Sequence, residues 1–285
     1  MNAAAGTPEG ERIAKVMARA GLCSRREAEQ WIAAGRVGVD GRVLDSPALN
    51  VKPGQVVTVD GQPLPAAEPP RLFRYHKPKG VMTTAHDPEG RKTLYDTLPE
   101  GLPRLMPIGR LDLNSEGLLL LTNDGELKRR LELPSTGWLR RYRVRVFGTP
   151  ADAALQALGR GVTVNGVAYG PIQAKLERVQ GSNAWLTVAL REGKNREVRN
   201  VMQHLGHEVS RLIRTGYGPF QLGNLEPRAI EEVRPKVLKE QLGLAVAGAP
   251  RPVERAKARQ TAAAPAPAGT AGTTAGRSGT GKARR

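Results

Sequence analysis

Four consecutive leucines, Leu118 to Leu121, run almost directly into Asn123, Asp124 and Gly125. A short apolar block closed by turn-forming residues reads as a buried strand, so any fold for this chain must carry that strand in its core. The block is far shorter than the roughly 20 apolar residues needed to cross a membrane, and no other stretch approaches that length. Just ahead of it lies a polar loop in which Asp112 is accompanied by Arg110, Asn114, Ser115 and Glu116. An acid at the lip of a core strand is more often a loop cap or half of an ion pair than a reactive carboxylate.

Around that strand the chain divides into three parts. In the first, residues 11–65, Ile13, Val16, Met17 and Ala20 recur at helical spacing before Gly21. Ser24 then opens a second helix, with Glu27 placed to complete a capping box, and Ala28, Trp31 and Ile32 form its apolar face. Short β-like runs follow, punctuated by Asp40-Gly41 and Asp60-Gly61. A proline- and alanine-rich linker, LPAAEPPRL, leads into the second part, residues 71–244. There, strand runs at Tyr142 to Phe147 and Trp185 to Leu190 mix irregularly with helical runs at Asp152 to Leu158 and Asn195 to Leu205. That pattern predicts an α+β domain on a mixed or antiparallel central sheet rather than a doubly wound one. The third part, residues 245–285, lacks large apolar side chains and reads as a disordered basic tail with non-specific attraction for RNA.

Charge narrows the partner. The chain carries 44 Lys and Arg against 27 Asp and Glu, a net +17. Beyond Pro250 eight bases face only Glu254, a net +7, so +10 belongs to the rest of the chain. A folded part that is basic in its own right points to a polyanion. Arg25 and Arg26, in the first turn of the second helix, could track a phosphate backbone or form an ordinary solvated face. Aromatic residues make up only 4%, which argues against a surface built from many stacking platforms. A single cysteine, Cys23, and an N-terminus without a secretory pattern lead us to expect a reducing cytoplasm, with Cys23 as a small packed side chain. His204 and His207 have a metal-like spacing but lack further ligands nearby, so no metal is expected. Asp112 and Glu116 could be read as the paired carboxylates of a glycosidase, but nothing supplies the aromatic sugar platforms of such a site.

RIAKVMARAGLCSRREAEQWIAAGRVGVDGRVL resembles the RNA-binding module first seen in small-subunit ribosomal protein S-four. GRLD followed by S-x-GLLLLTNDGEL resembles the signature segment of pseudouridine synthases, in the branch typified by RsuA and RluB. HKPKGVMTT, LRRYRVRV and LREGKNREVRNVMQHLGHEVSRLIRTGYGPF resemble three further motifs of that family in the family's order. The resemblance spans residues 11 to about 238 and implies a monomeric, cofactor-independent enzyme that converts uridine to pseudouridine in ribosomal RNA. It implies that Asp112 is the essential carboxylate, as nucleophile at the anomeric carbon or as base at the neighbouring ribose carbon. It further implies that Arg199 is the cationic partner of Asp112, that Tyr142 stacks on the target base, and that Arg110 fills the stack vacated by a flipped uridine. Lys194, Asn195 and Arg196 would contact phosphates or flank the pocket. NREVR, HEVSRLIRTGYGPF and the long basic C-terminus resemble the members acting on large-subunit (23S) ribosomal RNA, whereas Asn200 departs from the arginine more usual there. A non-catalytic RNA-binding assembly factor on the same fold is the alternative reading, and a synthase acting on small-subunit ribosomal RNA is another.

Overall fold

The computed structural model describes residues 10–85 and 87–242, so the tail expected over 245–285 lies outside the described residues. The N-terminal unit rests on two short helices, α1 (Ile13–Arg19) and α2 (Arg25–Ala33). Helix α2 begins as its sequence requires: the Ser24 side chain accepts from the Glu27 backbone N–H, and the Glu27 carboxylate accepts from the Ser24 N–H. Those bonds hold the Glu27 carboxyl below the usual carboxylate range. Both helices pack on a sheet of four short strands, in the order Arg42–Val43, Val37–Val39, Val57–Val59 and Gln62–Pro63. Asp40-Gly41 and Asp60-Gly61 turn its hairpins with positive φ at all four residues, the backbone that matches strand twist. Ile13, Met17, Ala28, Ile32 and Val37 are fully buried between the layers, and Cys23 packs among them.

The second unit is built on a nine-stranded mixed sheet, in agreement with the α+β expectation. Its principal strands are β1 (Leu72–Lys77), β2 (Ser115–Thr122), β3 (Arg140–Phe147), β4 (Ile172–Gln180), β5 (Asn183–Leu190), β6 (Val209–Tyr217) and β7 (Ile230–Glu232). They lie in the order β4-β5-β3-β6-β2-β1-β7. Every neighbouring pair on this path is antiparallel except β6 and β2, which run parallel.

The leucine block forms the centre of β2 and is buried on both faces, which explains why it does not alternate with polar residues. Leu118 and Leu120 face helices α3 (Gly125–Glu132) and α6 (Pro235–Leu242) through Leu127, Leu131 and Leu238. Leu119 and Leu121 pack on the opposite face with Phe73, Tyr75 and Leu94. Further along the sheet, Val144, Leu186 and Val188 meet α4 (Asp152–Ala157) and α5 (Glu197–His204) through Leu155, Val198 and Met202. Helix α5 starts later than the expected Asn195, because Arg196 is in the left-handed region with φ 50° and caps the helix instead of joining it.

The parallel seam between β2 and β6 pairs Ser115 with Leu212, Glu116 with Ile213 and Gly117 with Arg214. Gly117 has φ 103°, and a Cβ there would collide with the Arg214 backbone. Only glycine lets the two strands approach this closely. Among the described residues no helix is long and apolar enough to cross a membrane.

Candidate active site

Asp112 stands in a tight loop just ahead of β2, at the end of the parallel seam. Its backbone is gripped from several sides. Lys77, at the end of β1 and 0% exposed, donates from Nζ to the carbonyls of Asp112 (3.0 Å), Ser115 (2.9 Å) and Pro78 (3.2 Å). Thr83 Oγ1 donates to the Leu111 carbonyl at 2.7 Å, and the Gly80 N–H to that of Leu113 at 2.8 Å. The half-buried Asp112 carboxylate itself makes no hydrogen bond or ion pair with another described residue. The loop is therefore fixed through its main chain while its acid stays available.

Cations surround this loop. Arg199 comes from the first turns of α5 and donates to the Asn114 carbonyl at 2.9 Å and the Val209 carbonyl at 3.1 Å. Burial and the neighbouring Arg196 push its guanidinium below the usual value, and the Asp112 charge pushes it back up. Arg199 thus sits within electrostatic reach of Asp112 but forms no direct ion pair with it. Arg214, 3% exposed, donates from Nε to the Leu118 carbonyl at 2.7 Å. Arg199 Nε and Arg214 Nη2 are buried without an acceptor among the described residues.

Strand register aligns the remaining groups. Lys77 pairs with Gly117, Gly117 with Arg214, and Arg214 with Tyr142, so one row crosses β1, β2, β6 and β3. Adjacent strands are about 4.8 Å apart, which places the Tyr142 backbone roughly 10 Å from Gly117. Tyr142 is half-buried on the face it shares with Val144 and Val146. Glu116, the other half of the suspected carboxylate pair, lies on the opposite face with Leu118 and is bound by Arg211 through two bonds of 2.9 Å. That separation removes the glycosidase arrangement.

The other expected site residues fall into three groups. Arg110 is exposed and makes no hydrogen bond or ion pair among the described residues. Asn195 and Arg196 are exposed at the start of α5. Lys194 is committed internally, to Glu192 at 2.8 Å and the Ala168 carbonyl at 2.5 Å. Asn200, the departure noted above, donates to the Tyr169 hydroxyl at 3.1 Å and the Asn195 carbonyl at 3.3 Å. Arg25 and Arg26 are exposed at the head of α2. Arg25 lines a cleft of about 640 Å³ between the two units, together with Arg19, Arg104 and Arg129. Lys15 spans the same cleft between Glu11 (2.7 Å) and Glu126 (2.5 Å). His207 bonds the Phe147 carbonyl at 2.9 Å, and among the described residues no cluster could hold a metal ion.

Residues 71–204 match the model of the RNA pseudouridylate synthase family, and residues 11–63 that of the S4 domain. An uncharacterized RNA pseudouridine synthase of Rickettsia bellii is 48% identical over 229 residues, spanning 80% of this chain and 99% of its own length. The chain belongs to the RNA pseudouridine synthase family. Two ribosomal large subunit pseudouridine synthases B, from Haemophilus influenzae and Shigella flexneri, are 43% and 44% identical to this synthase. These alignments span 83% and 76% of this chain, and 69% and 77% of theirs. A crystal structure of a pseudouridylate synthase shares the fold, with a TM-score of 0.57 at 24% identity, covering 82% of this chain and 100% of that one.

Two buried cations of the synthase, Lys77 and Arg214, went unremarked in the sequence. Lysine is rarely fully buried, so a Lys closing the strand LFRYHK was the available signal for the first. Arg214 had a weaker one, a base among the apolar residues of β6.

Proposed function

We propose that this synthase isomerises a uridine of ribosomal RNA, in the large-subunit 23S species, with Asp112 as the essential carboxylate. The observation that carries the reading is the unengaged Asp112 side chain on a loop held by Lys77, Thr83, Gly80 and Arg199. The reaction breaks the bond between the anomeric carbon and a ring nitrogen, turns the base, and closes a bond to a ring carbon. It needs no redox change and no group donor. Asp112 acts at the anomeric carbon as nucleophile or at the adjacent ribose carbon as base. Lys77, Arg199 and Arg214 supply a fixed positive surround for the charge that the carboxylate carries.

Tyr142 packs on the extruded base, and Arg110 enters the vacated stack, where a planar guanidinium both stacks and donates. Asn195 and Arg196 take phosphates at the rim of the site. The likeness to synthases named for the large ribosomal subunit supports 23S RNA as substrate. Pseudouridines are to be mapped in ribosomal RNA from cells lacking the protein, complemented with wild type or Asp112→Asn. One uridine should stay unconverted in the knockout and be restored by wild type alone. Rescue by Asp112→Asn would replace the catalytic reading with that of an assembly factor.

A further inference from the structure

The outer face of β3, on the side of the sheet away from Tyr142, presents Arg141, Arg143, Arg145 and Phe147 in alternation. Phe147 is 60% exposed. Beside this row, Arg145 pairs in register with Arg211 on β6, and Trp185 on β5 lies between Arg145 and Arg178 on β4. Two acids answer these bases: Glu177 binds Arg143 at 2.8 Å, and Glu116 binds Arg211 at 2.9 Å. Arg141, Arg145 and Arg178 have no carboxylate partner within the described residues, and Arg145 Nε is buried with no acceptor. Like charges facing each other across a strand pair destabilise a sheet, so folding alone does not favour Arg145 opposite Arg211. The Arg143 guanidinium already lies 4.5 Å over the Trp185 ring, so this face favours flat stacking of a planar group.

We propose that this face is a second RNA-binding surface, which takes a single-stranded segment of the substrate RNA remote from the target uridine. Arg141, Arg145 and Arg178 meet its phosphates, and Phe147 stacks one base. Single-strand binding joins basic side chains that track the backbone to rings on which nucleobases stack, and one exposed ring beside these arginines supplies both, so a low aromatic content is no obstacle. The surface lies on the face of the sheet opposite Tyr142 and contacts RNA while the active site is occupied. The inference rests on RNA as the substrate class and stands whichever uridine is modified.

The test measures fluorescence anisotropy of a labelled, uridine-rich single-stranded oligonucleotide with the full chain at several salt concentrations. Phe147→Ala should weaken binding about tenfold, the loss of roughly one stacked base, and Phe147→Trp should retain it. Arg178→Glu should make the slope of log affinity against log salt shallower by about 0.7, the value for one phosphate contact on a single strand. Phe147 and Arg178 are both exposed, so neither change threatens folding, which the melting temperature checks. Asp112→Asn should leave this binding unchanged, and Phe147→Ala should leave turnover of a saturating short target RNA unchanged. Wild-type affinity in Phe147→Ala, or loss of turnover at saturation, would overturn the proposal.

Discussion

A buried ammonium that donates to three carbonyls and touches no carboxylate is held by dipoles, and its proton is correspondingly easier to remove. Burial pushes Lys77 down to about 8, against the opposing pull of Asp112 and Glu116 and with the help of Arg214. In the unfolded chain the same lysine titrates near 10.4. Between these values the folded chain has released a proton that the unfolded chain still holds, so the contribution of Lys77 to stability rises with pH across that window. Activity should move the other way, because a neutral amine has one fewer hydrogen to share among three carbonyls. We expect kcat to fall above about pH 8, and denaturant unfolding of Lys77→Met to lack the stability gain that wild type shows there. Arg199→Ala should lower kcat more than RNA affinity, since its guanidinium holds the Asn114 carbonyl two residues from Asp112. Comparing single-turnover rates with binding curves will separate the two. Asp112, Tyr142 and Arg199 stood out in the sequence because their neighbours carry recognisable patterns. The grip of Lys77 did not, because its acceptors at Asp112 and Ser115 lie 35 and 38 residues away and are main-chain atoms that any residue provides.

Secondary elements were legible wherever local chemistry decides them. The Ser24 capping box, the Asp-Gly turns and the leucine strand all sit where their residues place them, and Ser24→Ala should cost about 1 kcal/mol in equilibrium unfolding. The start of α5 was misplaced because left-handed backbone at Arg196 is a tertiary outcome that propensity does not report. The pairing of β2 with β6 was likewise hidden, since strand partners depend on contacts rather than on composition. Gly117 is the residue that makes this pairing feasible. Gly117→Ala combines an unfavourable φ with a backbone collision, and should destabilise the chain by roughly 2–4 kcal/mol in denaturant melts. Activity should be lost in that variant even under conditions where it remains folded, because the seam positions the Asp112 loop.

At the scale of the whole molecule, charge had announced a polyanionic partner but not where the two units meet. The cleft between them brings Arg25 from the N-terminal unit opposite Arg129 of the synthase unit, with Lys15 bridging to Glu126. If both arginines contact phosphates of one RNA, Arg25→Ala with Arg129→Ala should lower affinity for every RNA tested. The log–log salt slope should also become shallower by about 1.4–1.8, the sum for two phosphates. An exposed ion pair such as Lys15 with Glu126 contributes at most about 1 kcal/mol, so Glu126→Gln should leave the unfolding midpoint nearly unchanged. The parallel seam also bears on timing. It joins residues about a hundred positions apart, so the Asp112 loop has only one of its two walls until Tyr217 has been made. At roughly 5–20 residues per second, each new molecule carries Asp112 for about 5–20 s before the strand that completes its surroundings has been made.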